Sequence, residues 1–397
     1  MGEGIPDLQP DWEGVEEIMR KALGRVFPAA VLLVKRNGRT QLHRAYGHLD
    51  PEAREQPTRL DTRFDLASLT KLFTATAFLV LVDAGRVGLD QPVAEVLPEF
   101  RGPRPIRPFA DPLRPGRKIA VVPLTDATVD AGRVTFRHLL THTSGLPAWN
   151  PLYRRGSPQA VMQAALRSDF SYPTGTHVLY SDLGFILLGE AIVRITGRPL
   201  DVALRELVLE PLGLQATGFR RRGTASAPQN VAPTGYCPWR RRWLQGEVHD
   251  ENAAALGGVA GHAGLFGTAA DVAALGQLYL DGGKLGDARL LRGETASEAV
   301  REQAHFSGER RGWGWMLRPE EGEASCGRFF SPRSYGHTGF TGTSLWVDPE
   351  AGLVVALLTN RVYYGRDPAA IKAFRPALHE AVYQVGAQHA APLPRKV

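Results

Sequence analysis

A lysine lies three residues after a serine inside a long apolar stretch of the sequence. Residues 65–79 read DLASLTKLFTATAFL, and a helix formed by them is apolar on nearly every face, so it should be buried all round. Ser68 and Lys71 would share one face of that helix, with their Cβ atoms about 5–6 Å apart. Burial lowers the pKa of a lysine, and a neutral amine can take the proton of a serine hydroxyl. The pattern predicts a nucleophilic serine with a lysine base; the alternative is a surface serine and a lysine at a helix end.

The composition of the chain makes that lysine informative. The chain has 397 residues, 43% of them hydrophobic and 22% charged, which is typical of a folded globular protein with two or three lobes. The formal net charge is +6, and of the 47 basic residues only seven are lysines. Arginine stays charged in proteins and cannot act as a base, so a lysine at position 71 favours a chemical role.

Two further segments carry side chains suited to catalysis or binding. The sequence YSD at 180–182 opens a helical run, and HTG at 337–339 leads into a strand pattern. Taken alone, the tyrosine suits a core or rim position, and the glycines around HTG suit a bulge or a tight bend. Glycines also allow a ligand to approach the backbone closely. The three segments in this order, far apart in the chain, are more specific than any one of them.

Together the three segments resemble the motifs of the serine β-lactamase and penicillin-binding-protein family, in its branch of class C β-lactamases, D,D-peptidases and related esterases. The family motifs SxxK, Tyr-x-Asn and Lys/His-Thr-Gly are similar to SLTK at 68–71, YSD at 180–182 and HTG at 337–339. The resemblance covers most of the chain, from the hairpin near Ala30 to Asn360. Asp182 departs from the family because it stands where Asn is common, and His337 departs because it replaces the lysine of true class C β-lactamases.

The resemblance implies a covalent acyl-enzyme mechanism without a cofactor or a metal. Ser68 would be the nucleophile, and Lys71 and Tyr180 would share the proton transfers. The oxyanion hole would use the backbone N–H groups of Ser68 and Phe340. The substrate would lie against four further residues, namely Asp182, His337, Thr338 and Gly339. An ionised Asp182 would favour the ammonium form of Lys71, which would then act as a charge that lowers the pKa of Tyr180 and makes its phenolate the base.

Secondary-structure patterns place strands at both ends of the chain and helices between them. Residues 29–46 hold an Asn-Gly pair between two apolar-bearing runs, the signal of a hairpin, and strand patterns return only after residue 312. We therefore expect an α+β fold, with an antiparallel sheet built from both termini, flanking helices and an inserted lobe that is mostly helical. The resemblance implies that this fold is of the β-lactamase/transpeptidase type.

The expected lobes are discontinuous in sequence. Residues 1–65 and 255–397 would form the α/β lobe with the sheet, residues 66–254 the mostly helical lobe, and the two together one catalytic module. The stretch 98–123 is rich in proline and arginine and is expected to be a long loop.

Other kinds of site are not indicated. The sequence has no GxxxxGK[ST] or GxGxxG motif and no HExxH motif, and His249-Asp250-Glu251 with His262 fits no standard metal spacing. Arginine runs at 220–222 and 240–242 would suit nucleic acid or acidic polymers, but dispersed acids nearly balance them, so we expect a solvated surface and no nucleic-acid partner. Whether the two cysteines, Cys237 and Cys326, form a disulfide is left open.

The N-terminus as written has neither the basic nor the apolar segment of a secretory signal, and no apolar run reaches the length of a membrane-spanning helix. We therefore expect a chain without a membrane span that is cytoplasmic as written, or periplasmic or secreted if its N-terminus was trimmed. The oligomeric state is left open.

The leading hypothesis is a serine hydrolase that forms an acyl-enzyme on Ser68. It would be an esterase or a D-amino-acid-type peptidase with weak or no β-lactamase activity, acting on a small ester, amide or β-lactam. The alternatives are a penicillin-binding sensor or scaffold that is acylated but barely turns over, a true class C-like β-lactamase, and, ranked below these, a basic module for anionic polymers. Trp149, Trp313 and Trp315 would either line an apolar acyl pocket or pack in the core.

Overall fold

The computed structural model describes residues 11–111, 113–114, 116–119, 128–221, 223 and 229–388. Within them the helices are α1 Glu13–Ala22, α2 Thr70–Asp83, α3 Val93–Val96, α4 Phe136–Leu140, α5 Pro158–Leu166, α6 Asp182–Thr196, α7 Leu200–Leu204, α8 Glu251–Ala255, α9 Ala269–Leu280, α10 Gly293–Ala299 and α11 Ala369–Gln388. The strands are β1 Ala29–Arg36, β2 Arg39–Gly47, β3 Phe64–Asp65, β4 Pro103–Pro105, β5 Phe109–Ala110, β6 Lys118–Ile119, β7 Thr128–Asp130, β8 Gly218–Phe219, β9 Pro233–Cys237, β10 Arg242–Gln245, β11 Leu265–Gly267, β12 Lys284–Leu285, β13 Ala288–Arg289, β14 Ala304–Phe306, β15 Glu309–Arg311, β16 Met316–Leu317, β17 Tyr335–Thr338, β18 Ser344–Asp348 and β19 Leu353–Thr359. None of the helices in this part of the chain has the length and apolar character needed to cross a membrane.

An eight-stranded antiparallel sheet forms the centre of the fold, in the order β14-β15-β16-β17-β18-β19-β1-β2. The hairpin β1–β2 turns at Asn37 and Gly38, which both have positive φ, as the predicted Asn-Gly turn requires. Strand β1 then pairs with β19 from the other end of the chain, so that Ala30 faces Thr359. The predicted α+β fold, with a sheet assembled from both termini, is confirmed.

Strand β1 explains why this sheet lies inside the molecule. Side chains alternate between the two faces of a strand. Val31 and Leu33 pack into the larger core, which α9 also enters, while Leu32 and Val34 pack on the other face into a second core with α1 and α11. Helices therefore cover both faces of the sheet at β1. Because every side chain from Val31 to Val34 is buried, all four of these positions are apolar.

Helices α2 and α6 pack against each other and hold the predicted catalytic segments. Eleven of the fourteen residues of α2 are buried, as its all-round apolar sequence predicted. Helix α6 begins after Ser181, whose hydroxyl accepts a hydrogen bond from the Gly184 N–H at 3.2 Å. A Cβ atom on Gly189 of α6 would come within 2.9 Å of the Gly261 backbone nitrogen, so the helix and the segment before β11 can only approach this closely because both residues are glycines.

Three sequence predictions were wrong in detail. The stretch 98–123 is not all loop, because β4 pairs with β7 and β5 with β6; residues 112, 115 and 120–123 lie outside the described residues. The strand predicted at 313–317 is reduced to β16, because Gly314 adopts φ +84° and breaks the extended run. Small hairpins such as β9–β10 also interrupt the middle of the chain, where only helices were predicted.

The close approach of α6 to the segment before β11 gives a stability prediction. Gly189→Ala should lower the free energy of unfolding by about 1–3 kcal/mol, because the added methyl meets backbone atoms of Gly261 that have no space to move into. Gly14→Ala in α1 is the matched control, since a Cβ there meets nothing within 4 Å, and it should cause no loss. Urea unfolding of both variants measures the difference. Equal stability of the two variants would contradict this packing.

Candidate active site

The serine of the SLTK segment sits at a strained entry to α2. Ser68 lies in a short 3₁₀ helix, Ala67–Leu69, directly before that helix. Ala67 has φ +46°, which is uncommon for a residue with a side chain and costs about 1–3 kcal/mol. The buried carboxylate of Asp65 holds this turn, because it accepts hydrogen bonds from the N–H groups of Ala67 at 2.9 Å and His249 at 2.7 Å. Burial raises the pKa of Asp65 to about 6 in spite of these bonds.

Lys71 is fully buried and makes three hydrogen bonds, which matches the three donors of an ammonium group. Its Nζ lies 2.7 Å from Asp182 Oδ1, 3.0 Å from the carbonyl oxygen of His262 and 3.2 Å from Ser68 Oγ. Burial works to lower the pKa of Lys71, but the Asp182 carboxylate and the Tyr180 hydroxyl outweigh it, and the pKa is raised. The expectation that burial frees a neutral amine is therefore opposed by Asp182, as the departure from the family pattern suggested.

Tyr180 stacks beside the lysine, with Lys71 Nζ 4.8 Å from the centre of its ring. Burial raises the pKa of the Tyr180 hydroxyl, and the nearby Lys71 and Ser68 lower it without reversing the net rise. Among the described residues this buried hydroxyl has no hydrogen-bond partner of normal geometry. The raised pKa keeps Tyr180 a protonated phenol beside Lys71 and Ser68.

His142 lies against Tyr180, with their ring centres 4.7 Å apart, and no role was predicted for it from the sequence. Its backbone adopts φ +59°, and its Nδ1 accepts a hydrogen bond from the Ser181 N–H at 3.0 Å. A ring nitrogen that accepts carries no proton, so the neutral ring has its proton on Nε2. Burial, together with nearby Arg311 and Lys71, keeps the pKa of His142 low and the ring neutral. His142 therefore fixes the backbone between Tyr180 and Asp182.

His337 on β17 presents a hydrogen-bond acceptor to the site. Its Nδ1 lies 2.9 Å from the carbonyl oxygen of Thr338, and because a carbonyl oxygen only accepts, this nitrogen carries the proton. Nε2 is then an acceptor, and within the described part of the chain no donor reaches it. Burial, with the nearby Lys71 charge, lowers the pKa of His337 to about 3, so the ring is neutral.

The turn after β17 is tied to the nucleophile segment. Thr341 Oγ1 donates to the Asp65 carbonyl at 2.7 Å, and Thr343 Oγ1 donates to the Leu66 carbonyl at 3.1 Å. A Cβ on Gly339 would lie 2.8 Å from that Leu66 oxygen, so only glycine allows this approach. From the other side, Arg375 Nη2 donates to the carbonyl of Gly339 at 3.0 Å and to that of Thr343 at 2.7 Å.

Phe340 carries the second predicted oxyanion donor, and contacts made by its side-chain ring hold the residue in place. The guanidinium of Arg361 lies 4.5 Å from the ring centre and that of Arg366 lies 5.2 Å from it. The ring of His249 stacks on it at 5.7 Å. In the part of the chain that the structure describes, no hydrogen bond uses the Phe340 N–H, so this donor is available to a substrate oxygen.

A cavity of about 390 Å³ brings these groups together. Every predicted site residue except Lys71 lines it, and Lys71 contacts Ser68 from inside the helix. The residues that line it are Ser68, Tyr180, Asp182, His337, Thr338, Gly339 and Phe340. Trp149 lines the same cavity, as a residue of the acyl pocket would. Trp313 and Trp315 are buried and do not line it, so they pack in the core.

Asp250 and His262 form a second hydrogen-bonded pair in this cavity, and no such pair was predicted from the sequence. His262 Nε2 lies 2.8 Å from Asp250 Oδ1, and that carboxylate also accepts from the Ala253 N–H at 2.7 Å. Burial favours the protonated carboxyl, but His262 outweighs it and lowers the pKa of Asp250. Asp182, Asp250 and His262 have ligand atoms within 4.8 Å of one another, as a metal would need. Asp182 already accepts a hydrogen bond from the Lys71 ammonium, and Asp250 Oδ1 already lies 2.8 Å from His262 Nε2, which does not fit a further cation.

The signal for these missed residues was present but weak. Asp250 was considered in the HDE segment only as part of a metal site, and His142, in the segment LLTHTSGL, was given no role. Their partners, Ser181 and His262, are distant or lie across a turn, so no local pattern reveals the contact.

The arginine runs are partly paired, as expected of a solvated surface: Arg221 contacts Asp201 at 2.7 Å and Arg240 contacts Glu247 at 2.8 Å. Cys237 and Cys326 are both free and buried.

Solved structures of known proteins share the fold. EstCE1, described as a hydrolase with promiscuous acyltransferase activity, has a TM-score of 0.71 and 23% identity, covering 94% of this chain and 98% of its own. The octameric penicillin-binding protein homologue from Pyrococcus abyssi has a TM-score of 0.67 and 23% identity, covering 95% of this chain and 78% of its own. At these identities the likeness concerns the fold alone.

Curated relatives are more similar in sequence. The N-acetylmuramyl-L-alanine amidase of Bacillus subtilis is 32% identical over 383 residues, which is 87% of this chain and 80% of the relative. A putative D-alanyl-D-alanine carboxypeptidase of Escherichia coli is 31% identical over 374 residues, which is 84% of this chain and 79% of the relative. The family model described as beta-lactamase matches residues 15–378. The chain therefore belongs to the beta-lactamase family of serine hydrolases.

Proposed function

We propose that this chain hydrolyses an amide or ester through an acyl-enzyme on Ser68, and that its natural substrate is an amide of an amino acid. The observation that carries the mechanism is the 3.2 Å contact between Lys71 Nζ and Ser68 Oγ, in a cavity shared with Tyr180 and Phe340. The curated relatives named for amidase and carboxypeptidase activity support an amide, either a bond to L-alanine of a muramyl group or a bond in a D-alanyl peptide. Ester hydrolysis by the same acyl-enzyme supplies a convenient assay.

Tyr180 is the base in this proposal. Lys71 already donates to Ser68 Oγ, so the serine hydroxyl keeps its own proton to give to another group. Tyr180 first gives its own proton to solvent, and the Lys71 ammonium stabilises the phenolate that results. Ser68 Oγ then attacks the carbonyl carbon as this phenolate takes the serine proton and the carbonyl π electrons move to oxygen. The oxyanion of the tetrahedral intermediate accepts hydrogen bonds from the N–H groups of Ser68 and Phe340.

The same groups complete the turnover. The bond from carbon to the leaving nitrogen or oxygen breaks, and Tyr180 returns its proton to that atom. Water then attacks the acyl carbon, Tyr180 takes one water proton, and the bond to Ser68 Oγ breaks to release the acid as the serine recovers its proton. His337 Nε2 accepts from a substrate N–H or O–H, which favours a substrate that carries a donor beside the reacting carbonyl.

Replacing the nucleophile tests the assignment. Ser68→Ala should abolish turnover of a panel of short esters, D-alanyl peptides and a muramyl-L-alanine amide, while Ser307→Ala on the exposed surface should leave it unchanged. Undiminished turnover in Ser68→Ala would exclude the proposal. A wild-type chain that gains a lasting mass increase with a β-lactam and turns over no member of the panel would be a penicillin-binding sensor, and rapid cephalosporin hydrolysis would favour a true β-lactamase.

Removing only the Tyr180 hydroxyl separates catalysis from stability. Tyr180→Phe should lower kcat/KM by about 10²–10⁴, the usual contribution of a general base. The melting temperature should stay the same, because this hydroxyl has no hydrogen bond of normal geometry to lose within the described residues. Steady-state kinetics and thermal unfolding on the same preparation measure both effects. A fall in melting temperature with unchanged kcat/KM would show that the Tyr180 hydroxyl stabilises the fold and takes no part in catalysis.

The Asp182 carboxylate should set the pH dependence of the reaction. Its charge raises the pKa of both Lys71 and Tyr180. Asp182→Asn removes that charge, so either group loses its proton more easily, and the rising limb of kcat/KM against pH should move to lower pH than in the wild type. Asp90→Asn, which alters an exposed ion pair with Arg137, is the control and should leave the limb in place. A limb that moves to higher pH in Asp182→Asn would contradict this electrostatic role.

A further inference from the structure

An exposed group of aromatic side chains lies beside the cavity and has no part in the mechanism. It consists of Trp149, Tyr153, Tyr236, Trp239, Trp243 and Tyr363, which we name the aromatic surface. Trp243 is 54% exposed, Tyr236 49% and Trp239 39%. A large exposed apolar patch of this kind usually marks a binding surface. All three of these most exposed rings belong to the β9–β10 hairpin or its turn.

Ring contacts connect the cavity to the hairpin. Trp149 lines the cavity and lies 6.4 Å from Tyr153, measured between ring centres, and Tyr153 lies 5.0 Å from Trp239. Further along the hairpin, Tyr236 and Trp243 are partners across the two strands, with their rings 6.3 Å apart. The Trp243 ring lies 4.9 Å from Tyr363. Trp149, Tyr153 and Trp239 thus form one group of rings that begins at the cavity. Tyr236, Trp243 and Tyr363 form a second group, which shares the same hairpin.

The rings near the cavity are fixed in place by the segment that carries Asp250. Arg240 beside Trp239 donates to the carbonyls of Val248 and His249, both at 2.7 Å, and its guanidinium lies 5.6 Å from the Trp239 ring centre. Asn252 in α8 accepts from the Tyr153 N–H at 2.9 Å. Rings held in this way lose little conformational freedom when a ligand binds.

The far end of the hairpin is fixed as well. Asn360 donates to the Pro233 carbonyl at 2.9 Å, and a Cβ on Gly235 would come within 2.4 Å of the Val362 oxygen, so this strand lies directly against the segment that carries Tyr363. The Tyr363 hydroxyl donates to the Glu52 carboxylate at 2.8 Å. The hairpin backbone and the Tyr363 side chain are therefore held in place.

The chemistry of the aromatic surface favours a sugar chain. The C–H faces of pyranose rings stack on aromatic rings, while their hydroxyl groups need charged or polar neighbours. Such neighbours are present, because Arg154 lies 5.7 Å from the Tyr153 ring centre, Arg240 borders Trp239, and Glu52 borders Tyr363. The exposed large apolar side chains of the hairpin are all aromatic, and their flat ring faces suit stacking with sugar rings.

We propose that the aromatic surface binds a saccharide of N-acetylated amino sugars that carries the hydrolysable group into the cavity. This proposal rests on the proposed function, since it gives the amide substrate a sugar portion that extends from Trp149 over the hairpin. The acyl group at Ser68 and the sugar at Trp239 and Trp243 would then belong to one substrate.

The test uses the full chain with Ser68→Ala, so that binding is measured without hydrolysis, and the tetramer of N-acetylglucosamine as the probe. Titration calorimetry should show saturable binding of the tetramer. Adding Trp239→Ala or Trp243→Ala should weaken it by roughly tenfold, the size of one lost ring contact. Trp243→Phe should retain most of the affinity. Phe306→Ala, another exposed aromatic residue outside the aromatic surface, should change nothing.

Results of two kinds would overturn the proposal. One is the absence of saturable binding to the tetramer, or equal binding by the Trp239→Ala and Trp243→Ala variants when circular dichroism shows them folded. The other is a dimer in sedimentation that Trp243→Ala dissociates, which would assign the aromatic surface to a second copy of the chain. Hydrolysis of a sugar-free ester by the wild-type chain reports separately on the proposed function, so that each proposal fails on its own measurement.

Discussion

The buried ammonium of Lys71 is the interaction on which the site depends. A charged lysine with no exposure to solvent is costly unless it is paired and hydrogen-bonded, and Lys71 uses all three donors, on Asp182, the His262 carbonyl and Ser68. These three partners belong to α6, to the segment before β11 and to the entry of α2. One cation therefore joins three distant parts of the chain, and it does so at the atom that we propose to be the nucleophile.

Close backbone contacts place these parts within reach of one another. Gly189 and Gly261 let α6 approach the segment that supplies the His262 carbonyl, and Gly339 lets the turn after β17 reach Leu66 beside the nucleophile. Thr341 and Thr343 then fasten that turn by hydrogen bonds to the carbonyls of Asp65 and Leu66. The geometry around Ser68 thus follows from where side chains are absent as much as from where they are present.

The sequence was sufficient for features that have a local cause. The Asn-Gly turn of the first hairpin, the all-round burial of α2 and the shared face of Ser68 and Lys71 follow from short-range patterns, and the structure has all of them. Features that depend on distant partners were not predictable from one sequence. The tautomer of His142 is set by a backbone group 39 residues away, and the strands within 98–123 are set by pairings that no alternation of apolar residues predicts. The effect of Asp182 on Lys71, 111 residues away, was predicted only through the family resemblance.

The protonation state of Lys71 is the most direct test of this account, and the small number of lysines makes it measurable. Nitrogen-15 labelling of lysine gives seven side-chain signals, and the one lost in Lys71→Ala identifies the residue. Titration of the wild-type chain by NMR should show Lys71 remaining an ammonium up to and beyond the ordinary lysine pKa of 10.5. Loss of its proton near neutral pH would contradict the account, because Lys71 would then be the base and Asp182 would not control the site.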